Sequence, residues 1–135
     1  MANIRKEIQV EASAEQVWAV IGDFPQGPVR MAPGFVAASQ MEGDHVRVVS
    51  FANGVVAKER LVDRDDAARR LVWTIFGGPL THHNGSMQVF PGGAERCRVV
   101  WIADLLPNDL AGRIDGMMTE GSAVMRRALS RPGGA

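Results

Sequence analysis

Two adjacent histidines, His82 and His83, stand in the stretch GGPLTHHNGSM at residues 77–87, and His45 is the third histidine of the chain. Neighbouring imidazoles can hold a metal ion, or one can move a proton beside the other. Backbone geometry decides between these. Successive strand residues point to opposite faces, so two adjacent strand histidines cannot readily close on one ion. Met87 and Val89 mark the inward parity of this segment, which puts Gly85 and His83 inside and His82, Asn84, Ser86 and Gln88 toward solvent. A metal reading needs a loop at Thr81–Asn84, with His45 or Cys97 as third ligand, and no ligand spacing supports it. No metal is expected. His83 alone keeps a functional candidacy, as a polar group at a pocket rim. The competing reading is a histidine hydrogen-bonded near a strand end.

A second candidate lies in VVAKERLV, where Ala57, Glu59 and Leu61 share a face opposite Lys58 and Arg60. A carboxylate on an otherwise apolar face must be paired, hydrated or neutral, and desolvation favours the neutral acid. Glu59 is thus the candidate general acid/base or polar anchor, and a structural ion pair with Arg47 or His83 is the alternative. No Gly-rich phosphate loop, Ser/His/Asp arrangement or activated-cysteine context accompanies them, and no cofactor is expected. Cys97 is the sole cysteine, which excludes an internal disulfide; it reads as a buried strand residue.

The elements that must position these groups follow from periodicity. IRKEIQVEA alternates Ile4, Ile8 and Val10 with Arg5, Glu7, Gln9 and Glu11, a strand with one wet face. Ser13 to Gln16 is a capping-box pattern opening a helix with Val17, Trp18, Val20, Ile21 and Phe24 on one side, ended by Pro25 and PQGP. From Gly34 to Ala103, six strands (FVAASQM, HVRVVSFA, VVAKERLV, RRLVWTIF, GSMQVF and RCRVVWIA) are separated by short turns such as Asn53-Gly54. Short turns imply an antiparallel meander. After Pro107, with Asn108 or Asp109 as cap, a helix of about 22 residues runs from Asp109 to Ser130. Leu110, Ile114, Met117, Met118, Gly121, Val124, Met125, Ala128 and Leu129 fall on its apolar arc, roughly 140° wide.

Parity then supplies the inward rows: Val49 and Phe51; Leu71, Trp73 and Ile75; Val99, Trp101 and Ala103. For any one residue, core packing is the simplest account. Gly121 adds a collective argument, since a mid-helix glycine costs about 1 kcal/mol against alanine and leaves space among Met117, Met118 and Met125. Methionines adapt to varied ligand shapes. The candidate ligand-binding set is therefore Val49, Phe51, Glu59, Leu61, Trp73, Ile75 and His83, with Met87, Val99, Trp101, Met117, Met118, Gly121 and Met125, around an apolar cavity.

Basic and acidic residues balance at 15 each, interspersed, so no nucleic-acid footprint is expected. No apolar run approaches a membrane span, and the charged N-terminus does not read as a signal peptide, so a cytoplasmic protein without integral membrane association is expected. The 135 residues read as one domain, with a frayed tail from Arg131. Nothing decides between a monomer and a homodimer.

Strand, helix, six-strand meander and long C-terminal helix resemble the helix-grip fold. SAEQVWAVIGDF, Pro33-Gly34 and VAKERLVDRDDAARRLVWTI are similar to the START-related SRPBCC superfamily, in particular its polyketide cyclase/dehydrase and lipid-transport branch. The resemblance covers nearly the whole chain. It implies an α+β fold in which a seven-stranded curved antiparallel sheet wraps the C-terminal helix, with a ligand cavity between them and Glu59 turned toward it. The implied function is binding or carriage of a hydrophobic small molecule, polyketide-like or lipid. The alternative is a cyclase/dehydratase-type enzyme in which Glu59 or His83 moves a proton. FANGV and FGGPLTH resemble in position the gate and latch loops of plant abscisic-acid receptors. Their residues differ, and control by a phosphatase partner is not implied.

Overall fold

The computed structural model describes residues 1–130; the tail expected to fray from Arg131 lies outside them. The opening alternation forms β1 (Ala2–Val10), with Ile4, Ile8 and Val10 buried. Ser13 then caps α1 (Ala14–Ile21) through the capping box with Gln16. The helix stops at Ile21, before Phe24, which is buried in the turn beyond. Gly22 follows because the Trp18 ring lies 2.9 Å from where a Cβ would stand. PQGP also does more than terminate: Pro28 sits in the first turn of α2 (Gly27–Met31), where its missing N–H is no loss.

Six strands follow: β2 (Val36–Met41), β3 (Val46–Phe51), β4 (Val56–Asp65), β5 (Arg70–Phe76), β6 (His82–Pro91) and β7 (Cys97–Leu106). All pairings are antiparallel, in the order β1-β7-β6-β5-β4-β3-β2, so the first strand closes beside the last. β6 begins at His82, three residues before the expected Gly85, which brings both histidines into the sheet. β7 likewise runs on to Leu106.

A 3-10 turn at Asn108–Leu110 leads into α3 (Ala111–Leu129), unbroken at Gly121. Neither Asn108 nor Asp109 caps it through a side chain, and Ala128 is exposed instead of lying on the inner arc. Met118, Gly121, Met125 and Leu129 are the buried positions. Along the sheet α3 follows chiefly β1, and it also touches α2. An ion pair from Lys6 Nζ to Asp115 Oδ1, 2.8 Å, ties it there. Packing against one edge leaves α3 standing off the middle strands.

Trp73 lies across from Gly85 on the inner face, and its ring comes within 2.8 Å of the position a Gly85 Cβ would take. Gly85→Ala should therefore force a buried indole aside and destabilise the protein by about 1–3 kcal/mol. Urea unfolding followed by tryptophan fluorescence measures this; an unchanged midpoint would mean the ring has room to move.

Candidate functional site

The site begins where the sheet comes apart. β5 and β6 pair from Arg70↔Gln88 to Trp73↔Gly85, and there their ladder ends. Beyond it β6 stays with β7 at His83↔Leu105, while β5 stays with β4 at Lys58↔Phe76. The parting strands leave the Ile75 amide without a ladder carbonyl. It donates instead to Nδ1 of His83, at 3.0 Å, and the Thr74 hydroxyl donates to the His83 carbonyl. A side chain thus replaces a backbone acceptor at the split.

Behind the split, between the sheet and the first half of α3, lies a cavity of about 550 Å³. Trp73, Ile75 and Trp101 form its floor, Ile114, Met117 and Met118 its helical wall, and Leu80 approaches from the loop. Val55 and Val56 beyond the Asn53-Gly54 turn and the Gly77–Pro79 loop border its mouth, together with Lys58 and Arg113. Both expected loops flank this cavity, FGGPLTH through Phe76 to Leu80 and FANGV through Phe51 and Val55, while Ala52 and Asn53 of FANGV also border a separate surface groove.

His83 faces the cavity and is buried, at 6 % exposure, while His82 is exposed on the other face. Burial is the main cause that brings its pKa down to about 4; His82 lowers it further and Asp104 opposes. The Ile75 amide acts in the same sense, because it requires an unprotonated Nδ1. The imidazole is therefore neutral at pH 7 with its proton on Nε2. That N–H has no protein partner among the described residues. Among these residues no His, Cys, Asp and Glu side chains gather as a metal site.

Glu59 also lines the cavity. Cross-strand register sets Arg47 beside Glu59 and Glu59 beside Ile75, so Arg47, Glu59 and His83 lie along one row across the sheet, with Ile75 between the last two. Arg47 Nε donates to Glu59 Oε1 at 2.8 Å, and Arg47 also donates to the Phe24 carbonyl at 3.0 Å. The guanidinium stacks on the Phe24 ring, 4.4 Å from its centroid. Of the two pairings open to Glu59, the structure has the one with Arg47. This occupies the carboxylate with a permanent cation and weakens its candidacy for proton transfer.

The other expected ligand contacts divide three ways. Phe51 joins the main cavity. Val49, Met87, Gly121 and Met125 border a small inner chamber of about 60 Å³ near Arg47. Leu61 and Val99 instead pack with the core, Val99 at 0 % exposure. Gly121 also needs correcting as a space-leaver. The Phe35 ring edge lies 3.0 Å from where its Cβ would be, and Trp101 lies 3.4 Å away. The missing side chain admits Phe35. Sequence reading placed Phe35 at the head of the strand FVAASQM and so gave it no cavity role; β2 starts only at Val36, and Phe35 stands before it, after Gly34 with φ +86°. Cys97 is buried at the start of β7, and burial pushes its thiol up to about 11.

A family model described as polyketide cyclase / dehydrase and lipid transport matches residues 1–131. The chain belongs to this family. Solved structures carry the same fold. Among them are XoxI from Bacillus cereus (24 % identity, 96 % of both chains, TM-score 0.84) and a Thermobifida fusca protein (30 % identity, 95 % of this chain and 93 % of that one, TM-score 0.75). A START superfamily protein from Mycobacterium smegmatis aligns over 94 % of this chain and 93 % of its own, at 14 % identity and TM-score 0.71. No curated protein matches the sequence. In this chain the sheet and C-terminal helix enclose the cavity, and His83 and Glu59, the latter paired with Arg47, are buried polar side chains on its wall.

Proposed function

We propose that this family member binds a hydrophobic small molecule, polyketide-like or lipid, in the 550 Å³ cavity, with a carbonyl or ether oxygen of the ligand on His83 Nε2–H. The observation that carries the reading is a hydrogen-bond donor on a buried side chain, without a protein partner among the described residues and open to a largely apolar cavity. Such a donor favours a ligand that supplies an acceptor, because an unmet polar group is costly away from water. A neutral imidazole orients an uncharged oxygen; it does not act as a counter-ion.

The second reading, a cyclase/dehydratase, is favoured by the same donor and by the family. Nδ1 is held by the Ile75 amide, so His83 would polarise a substrate carbonyl and would not serve as base from that nitrogen. Glu59 would act through its oxygen not held by Arg47.

Ala57 provides the test. Its methyl borders the cavity and belongs to neither core cluster, so a larger side chain there grows into the void. The neutral probe N-phenyl-1-naphthylamine should bind the wild type with micromolar affinity, about −8 kcal/mol. Ala57→Phe should weaken it at least about tenfold, or about 1.4 kcal/mol, with no loss of stability. Equal affinity in both proteins would place the probe elsewhere and sink the proposal.

A further inference from the structure

Phe35 borders three voids: the main cavity, the inner chamber, and a surface groove of about 330 Å³ beside Pro33, Asn53 and the Glu120–Arg127 side of α3. We propose that the Phe35 ring is a movable partition that sets the length of ligand the site accepts, joining the main cavity to the inner chamber when it swings aside. This rests on the binding reading above and extends it to elongated apolar molecules, whose far end would enter the chamber beneath Met31 and Met125.

The backbone around Phe35 is fixed, while its side chain packs against the core on one side and borders voids on others. The Phe35 carbonyl accepts from Ala52 N at 3.0 Å, and the next amide, Val36 N, donates to Ala32 O at 2.9 Å. The ring is only partly buried and meets Phe51 edge-on, with centroids 5.4 Å apart at 70°. It also packs against the core and rests on Gly121, where a side chain of any size would crowd it. A ring with void on several sides gives up few contacts on rotating, whereas a close-packed ring gives up most of them. Two χ angles suffice for the motion. Gly121 is thus the seat of the closed position, and the helix tolerates glycine there because Phe35 uses the space.

The experiment is competition of linear primary alcohols of increasing chain length against the naphthylamine probe, on the wild type, Phe35→Ala and Gly121→Ala. In the wild type each methylene should tighten binding about fourfold, the equivalent of about 0.8 kcal/mol, until the main cavity is full. The gain should then pause where the ring must move, and resume for longer chains. Phe35→Ala should abolish the pause, and Gly121→Ala, which crowds the ring out of its seat, should shorten it. If Phe35→Ala fails to fold, Gly121→Ala carries the same comparison. A wild-type series that levels off for good would make Phe35 a fixed wall. A plateau at the same length in all three proteins would show that the chambers do not join through it. Either result overturns the partition while leaving short-chain binding intact. Failure of every alcohol, short ones included, overturns the binding reading itself, and the partition with it.

Discussion

Arg47→Met is expected to destabilise the protein by about 3–5 kcal/mol, because it strands the Glu59 carboxylate without its cation. Both side chains are nearly inaccessible, at 3 % and 8 %, and the guanidinium also serves the Phe24 carbonyl. Methionine keeps a long apolar stem near the Phe24 ring, so the loss reads out charge and hydrogen bonding more than packing. The double variant Arg47→Met/Glu59→Leu should recover most of the loss, since a buried pair exchanged for apolar groups is often neutral. Urea unfolding of the three proteins measures the cycle. A single-variant loss below about 1 kcal/mol, the scale of an exposed pair, would mean that water in the cavity solvates Glu59. Glu59→Gln should leave N-phenyl-1-naphthylamine affinity nearly unchanged, because the probe needs no carboxylate.

The second large effect is a dependence on acid. His83 has its pKa lowered from 6.5 to about 4, so the folded state resists a proton that the unfolded chain accepts. The sign follows from that difference. Above pH 6.5 both states are neutral at this site and its stabilising effect is fully present. As pH falls from 6.5 toward 4 the unfolded state gains protons first, and stability drains away by about 2 kcal/mol at pH 5 and about 3 kcal/mol below pH 4. His83→Gln retains an oxygen that can accept from the Ile75 amide and carries no titrating group. Between pH 7 and 5 its unfolding free energy should therefore fall less than the wild type's by about 2 kcal/mol. Parallel pH profiles for the two proteins would show that His83 protonates in place.

Much of this architecture is legible in the residues because its signals are local. Ile4, Ile8 and Val10 alternate strictly; Ser13 and Gln16 form the cap that their spacing predicts. Parity places His83 inside and His82 outside and groups Glu59 with Ala57, and the family resemblance turns Glu59 toward the cavity that both line. What escaped is what depends on contacts distant in sequence. Gly121 signals missing bulk, but only the fold supplies Phe35 to occupy it. Val99 obeys the same period-2 rule as Trp101, yet one is sealed in the core and the other lines the cavity. α2 is hidden because PQGP reads equally well as the end of one helix or the first turn of another. The end of the β5–β6 ladder is a matter of strand divergence, and neither strand alone encodes it.

That divergence makes the sheet resemble a book bound at Trp73–Gly85, whose two covers are fastened by the His83 imidazole and the Thr74 hydroxyl. In an ordinary ladder the fastening is carbonyl to amide, which every residue except proline carries, so few substitutions can remove it. Here the clasp is two side chains. The width of the opening is therefore heritable at two codons: exchanging residue 74 or 83 can loosen, tighten or release the covers and leave the spine untouched. A scaffold fastened this way can be retuned to ligands of different girth without rebuilding its core.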